Sequence, residues 1–329
     1  MATSRLSYFD FIRGIAIVMV VAIHTTTSCN IETISGTIST IVRQCLNCAV
    51  PLFLASSAYF LSKVDVSNRH KYFLFLKKQI PKVYIPTLIW SLPYLIYPIY
   101  SGCNPLYQFI LLISCSYSVY YFIALIIQFY LLLPILNKSP KITLIISAII
   151  TIVCLIIFTS ISINNPLPLI LYAGPFPIWI LFFALGLYLA NCNRSYSLVI
   201  PVVLIVLGVI AQIVELYCIN SLFNDFRLGI KTSSALYSSG VILLLFSKKV
   251  ENFYNDFSNL KLLKLFEFFG KKSFIIYLCH CYIISFVSSI YYTSFWSFNF
   301  TICFTLTIIF ILLLQKIVPK SIYKHIGLN

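Results

Sequence analysis

Charge is what this 329-residue sequence has least of. Asp, Glu, Lys and Arg make up 9% of it, where a soluble domain carries about 25%. A chain so poor in charge cannot cover a water-facing surface, which excludes an ordinary soluble enzyme. Acidic residues number only eight, leaving a formal net charge of +15. No polar low-complexity run, Gly/Ser linker or internal repeat divides the chain, so one integral-membrane domain over 1–329 is expected, with no soluble domain. The weak alternation of a membrane β-barrel is also missing.

In place of charge there is apolar length. Hydrophobic residues make up 60% of the sequence, and mean hydropathy is +0.96. In lipid every backbone N–H and C=O must be satisfied internally, so unbroken apolar runs of helix length imply helices. A span needs about 20 such residues. Ten segments qualify: 14–33, 43–62, 83–100, 117–136, 142–162, 172–190, 197–217, 232–248, 273–291 and 298–317. Segment 232–248 is weakened by Ser233, Ser234, Ser238 and Ser239, and a shorter apolar stretch at 106–114 is expected to lie at the interface. The first run lacks a small-residue cleavage site and reads as a retained span. The expected fold class is an all-α polytopic membrane protein of about ten transmembrane helices.

The basic residues orient it. With the N-terminus inside, twenty of the 23 Lys and Arg fall on inner segments and only Arg43, Arg227 and Lys231 fall outside. By the positive-inside rule this predicts both termini in the cytoplasm. The surplus of positive charge then reads as a topology device, not as a nucleic-acid surface. Of the eleven cysteines most lie in apolar runs and act as small hydrophobes. Cys45 and Cys48 form a lone C-x-x-C with no further ligands nearby, so no metal site is expected.

Ionisable residues inside a span are costly and mark candidate sites. Arg13 is read at the cytoplasmic interface. His24 lies eleven residues further, about 16 Å along a helix and near or just beyond mid-bilayer. Asp10, Arg13 and His24 share one face. His24 is either a packing residue bonded to a carbonyl or a group for proton transfer near neutral pH. Ser273, Tyr277 and His280 follow i, i+4, i+7 spacing and share another face. Lys78 and Lys82, separated by one turn that contains Pro81, can hold phosphates or simply anchor the chain to anionic lipid. Glu215 is a weak candidate for acceptor binding, and His70 and His325 carry no assigned role.

These pieces resemble the membrane acyltransferase-three family. Tyr8-Phe9-Asp10-Phe11-Ile12-Arg13-Gly14 followed by His24 is similar to the family's opening, an Arg, ten residues and a His in the first span. Pro51-Leu52-Phe53 with Ser57-Ala58-Tyr59-Phe60, the stretch Lys77 to Trp90, Tyr121-Phe122 with Gln128 to Pro134, and Gly270 to His280 resemble later family patterns in order. Two departures stand out. Ala58 replaces the usual Gly, and Gln79 and Lys82 stand where two arginines are common, so Lys77, Lys78 and Lys82 would act as point charges.

The resemblance implies acyl transfer from cytoplasmic acyl-CoA, with acetyl-CoA as co-substrate and no permanently bound cofactor, to a sugar hydroxyl. Among branches of the family, the start His24-Thr25-Thr26-Thr27 and the compact length look most like surface-glycan O-acetyltransferases, one type of which modifies enterobacterial common antigen. The implied location is the bacterial inner membrane, and the implied partners are acyl-CoA, a surface glycan or lipid-linked sugar, and membrane lipids. On this reading His24 is the catalytic base, or less favourably an acyl carrier. Arg13, Lys78 and Lys82 bind the donor, Asp10 holds Arg13, and Ser273, Tyr277 and His280 line the acceptor pocket or stabilise the oxyanion. The alternatives are succinyl transfer on the same fold, or a transporter or flippase of a lipid-linked glycan.

Overall fold

A computed structural model describes residues 2–26, 33–66, 68–164, 171, 173–223, 229–291, 293 and 295–328. Among these residues there is no strand. The helices are α1 (Ala2–Thr25), α2 (Ile34–Cys45), α3 (Ala49–Leu61), α4 (Arg69–Ser91), α5 (Pro93–Tyr100), α6 (Pro105–Ile113), α7 (Tyr121–Leu136) and α8 (Pro140–Asn164). They continue as α9 (Ile180–Asn191), α10 (Val199–Phe223), α11 (Thr232–Phe246), α12 (Lys248–Asp256), α13 (Lys261–Lys271), α14 (Ser273–Ile290), α15 (Trp296–Ile317) and α16 (Tyr323–Ile326).

Among the described residues, six stretches are long and apolar enough to cross a membrane: Leu6–Thr25, Ile34–Leu61, Pro140–Ile161, Val199–Ile219, Ser273–Ile290 and Trp296–Ile317. The chain is an all-α, multi-pass membrane protein. Helices α7, α9 and α11 are apolar but shorter. Their expected spans include neighbouring turns: Ser118–Tyr120 before α7 and Phe176–Ile178 before α9 are 3₁₀ turns, the latter between Pro175 and Trp179. The expected third span, 83–100, is divided between the end of α4 and α5. Pro93 opens α5, where a missing N–H costs nothing. Helix α4 itself runs unbroken through Pro81 and Pro86.

The first span differs from expectation. Its apolar stretch begins at Leu6, not at residue 14, because Leu6, Tyr8, Phe9, Phe11 and Ile12 offset Asp10 and Arg13. Arg13 therefore falls within this apolar stretch and His24 in its last turn. Residues 27–32, which the expected span included, lie outside the described residues, as does Arg227.

Helix α1 is the hub. Tyr8, Phe9, Ile12, Ala16, Ile17 and Val21 have no exposed surface, a helical periodicity that buries one broad face. It runs antiparallel to α3: Phe9 stacks on Tyr59 with ring centres 4.4 Å apart, and ten residues on, Met19 Sδ meets Cys48 Sγ at 3.7 Å. Across from α3, α1 and α13 cross at two glycines. A Cβ on Gly14 would lie 1.9 Å from the Phe266 carbonyl oxygen, and one on Gly270 would lie 1.7 Å from that of Asp10. By contrast, α8 and α10 expose Ile142, Ile145, Ile149, Ile156, Val203 and Ile210, the aliphatic coat of lipid-facing helices.

The serines that weaken segment 232–248 turn inward or bond within α11. Ser233 donates to Glu215 of α10, Ser234 closes a capping box with the backbone of Lys231, and Ser239 Oγ donates to the Ala235 carbonyl at 2.9 Å. Some basic residues are structural as well. Arg194 is buried, donating to Glu251 Oε2 at 2.6 Å and to the Phe246 carbonyl at 3.0 Å, with its guanidinium 5.2 Å above the Tyr59 ring. Removing one partner strands a buried charge, which costs about 3–5 kcal/mol. Glu251→Ala is therefore expected to lower the thermal midpoint in detergent far more than Lys71→Ala, whose exposed pair with Asp65 contributes about 0–1 kcal/mol.

Candidate active site

A cavity of about 420 Å³ runs beside α1, and its walls come from most of the bundle. At one end are Arg13, Ser57 and Ser273. Arg13 is held by Asp10, 3.9 Å away and one turn earlier, and its guanidinium stands 5.3 Å from the Phe60 ring centre. Ser273 belongs to this end because it follows directly on α13, whose Gly270 touches Asp10. The adjoining Lys272 is half-buried, and loss of solvent lowers its ammonium below the usual lysine range.

The middle is apolar: Val20, Val50, Phe53, Val83, Phe122 and the ring of Tyr277. Phe53 falls between the Met19–Cys48 and Phe9–Tyr59 contacts in the register of α3 against α1. It faces Phe122 of α7 with ring centres 6.1 Å apart. The far end holds His24, Arg43, Asn47, Tyr121, Gly229 and Ile230. Carrying the same antiparallel register past Met19–Cys48 brings Arg43 and Asn47 beside the last turn of α1. Arg43 Nη1 donates to Asn47 Oδ1 at 2.8 Å, and Asn47 Nδ2 reaches the Gly229 carbonyl at 3.4 Å. The imidazole of His24 opens on to the cavity.

Polar clamps behind the wall fix its shape. Gln128 donates to the Gly174 carbonyl at 2.9 Å and accepts from Phe176 N at 3.1 Å, and Trp179 Nε1 donates to the Ala173 carbonyl at 2.8 Å. Together they hold the segment carrying Ala173 and Trp179 against α7. Tyr120 and Tyr277 cross-brace α14 and the 3₁₀ turn before α7: Tyr120 donates to the Leu278 carbonyl at 2.7 Å, and Tyr277 to that of Val119 at 2.6 Å.

The residues singled out in the sequence separate into three groups. Arg13, His24, Ser273 and Tyr277 line the one cavity, with Asp10 behind Arg13. His280 does not line it. Its ring is fully enclosed against His24, with centres 5.3 Å apart, so the expectation that it walls the acceptor pocket is not met by its position. Nor does Tyr277 offer a spare donor for an oxyanion, since its hydroxyl is committed to Val119. Lys78 and Lys82 are exposed and lie off the cavity, although Val83, next to Lys82, is part of its wall. Glu215 also lies off it, bonded to Ser233. Arg43 and Asn47 are not singled out by the sequence, where Arg43 is only an outer charge. The one available signal is a guanidinium near the start of an apolar span.

No curated protein matches this chain, and no solved structure does. The sequence profile of an acyltransferase domain matches residues 6–315, nearly the whole chain. The ordered motifs, the helical bundle and this match agree: the chain belongs to the membrane acyltransferase-three family.

Proposed function

We propose that this acyltransferase moves an acyl group, acetyl by preference, from cytoplasmic acyl-CoA to a hydroxyl of a bacterial surface polysaccharide or lipid-linked glycan at the inner membrane. The observation that carries this reading is a single cavity with Arg13 near one end and His24 near the other. The positive-inside reading, with both termini in the cytoplasm, supports Arg13 on the donor's side. Eleven residues of helix separate the two by about 16 Å, a distance that an extended pantetheine arm covers. Its apolar middle suits a neutral arm and excludes water from a thioester.

Arg13, steadied by Asp10, binds a CoA phosphate where a planar guanidinium makes charge-assisted contacts. Lys78 and Lys82, outside the cavity, attract the same anion at longer range. At the far end the acceptor hydroxyl gives its proton to His24 as its oxygen attacks the thioester carbonyl carbon. The tetrahedral oxyanion collapses, the C–S bond breaks, and the departing thiolate takes the proton back from His24. Ester and free CoA thiol are the products, and His24 is regenerated. Ser273 sits at the donor end, and Tyr277 shapes the passage between the two ends.

Donor kinetics test the assignment of ends. A charge-assisted hydrogen bond contributes about 1.5–3 kcal/mol, so Arg13→Gln should raise the donor KM by about tenfold or more. Lys78→Gln with Lys82→Gln should raise it by less than about threefold, as expected for exposed charges. A larger effect from the lysine pair would move the phosphate site out of the cavity and on to α4.

A further inference from the structure

His280 is buried, polar and beside the proposed base, yet it lines no part of the cavity. Its surroundings fix its chemistry. Nδ1 lies 2.8 Å from the Tyr277 carbonyl oxygen and 3.2 Å from that of Ile276. Carbonyl oxygens only accept, so Nδ1 must carry the proton. Nε2 is then the lone-pair nitrogen of a neutral ring, and Cys281 Sγ lies 3.4 Å from it, able to donate its weak S–H. The helix backbone thus locks one tautomer and one orientation, because both carbonyls belong to the turn of α14 that carries the ring.

The ring of His24 stands against this fixed neighbour at 5.3 Å between centres and 49° between planes. Helix α14 holds the pair from behind through Tyr120 on Leu278 and Tyr277 on Val119. No Asp or Glu is among the described residues lining the cavity, and Asp10 lies about four turns from His24 along α1. When His24 takes the acceptor's proton, an imidazolium forms in a medium of low dielectric, where an uncompensated charge is expensive. A base needs a third group to orient it and to meet that charge.

We propose that His280 is this group: a positioning residue that sets the ring orientation of His24 and stabilises its transient imidazolium with a neutral, backbone-locked imidazole. The inference rests on His24 being the base. It requires no covalent step: the proton moves from acceptor hydroxyl to His24 and then to the CoA thiolate, while the Nδ1 proton of His280 stays on its carbonyls.

Full-length protein in liposomes, given acetyl-CoA and glycan acceptor, tests it through kcat and donor KM for wild type, His280→Leu, His280→Gln and His24→Ala. Monodispersity and thermal midpoint are measured for each. His280→Leu should lower kcat by about 10²-fold, within the range for a group that assists proton transfer, and leave the donor KM within about twofold. His280→Gln, whose amide can both donate to the carbonyls and accept, should recover about a tenth of wild-type kcat. A merely packed residue would instead give equal losses for Leu and Gln, tracking the thermal midpoint, and that pattern overturns the proposal. So does a His280→Leu kcat within about threefold of wild type. If the Leu variant is not monodisperse, the Gln variant decides: lowered kcat with unchanged KM supports the role, and unchanged kcat overturns it. Activity in His24→Ala defeats the base assignment itself. An inactive His24→Ala beside a fully active His280→Leu defeats only the pairing.

Discussion

Replacing His24 with alanine is expected to remove acyl esters from the surface glycan while the protein still accumulates in the membrane. The size of the effect follows from the site. A positioned base contributes on the order of 10²–10⁴ to a proton-transfer step, and the next imidazole, on His280, is enclosed and committed to backbone carbonyls. It cannot swing into the cavity to substitute. The fold should tolerate the change, because His24 opens on to the cavity and, among the described residues, no hydrogen bond of its ring holds two helices together. Mass spectrometry of the glycan from cells carrying the variant should show the acyl mass increment gone. An undiminished increment, at normal protein level, would remove His24 from the chemistry.

The second large effect is expected far from any reacting atom. Gly270→Ala places a methyl where the Asp10 carbonyl oxygen stands 1.7 Å away, and Gly14→Ala does the same against Phe266 at 1.9 Å. Both obstacles are backbone, so neither can rotate aside, and α1 and α13 must separate. Overpacking of this kind costs about 1–3 kcal/mol or more. The loss should not stay local: the Gly270 contact sets the height of Asp10 and, through it, of Arg13, and α14 begins two residues after α13 ends. Lower thermal stability should therefore come with a raised donor KM. Gly102→Pro, at an exposed turn with open space around it, is the wrong control because of its positive φ. Ala124→Gly on α7, which costs about 0.5–1 kcal/mol and lies outside the two-glycine crossing, is a better one. A Gly270→Ala variant as stable and as active as wild type would contradict the observed crossing.

Much of this was legible in the sequence, for identifiable reasons. Apolar length dictates helices in lipid whatever the side chains, so among the described residues each of the ten expected segments overlaps a helix. Their lengths were less legible. Hydropathy does not register that Pro93 restarts a helix, or that Phe176–Ile178 turns as 3₁₀ before α9. The i, i+3 spacing of Asp10 and Arg13 was enough to pair them. Helical spacing also put Ser273, Tyr277 and His280 on one face, but a face does not say which residue meets the cavity and which meets another helix. Whether Lys82 or Val83 forms the wall depends on a rotation of α4 that only packing sets. Arg43 was hidden for a related reason: counted along the chain it is an outer charge, and only the antiparallel register of α3 on α1 carries it to His24. Gly14 and Gly270 bear no mark of their crossing, because a close approach of two backbones is a property of the pair.

In the proposed mechanism one cavity joins a donor bound near Arg13 to an acceptor activated by His24. The most direct measurement uses purified protein in liposomes, acetyl-CoA labelled in the acyl group, and the glycan acceptor. Label is expected in an alkali-labile ester on the glycan, with one free CoA thiol released for each ester formed, and neither product is expected with His24→Ala. Glycan that crosses the bilayer unlabelled, with no thiol released, would contradict it and favour a transporter.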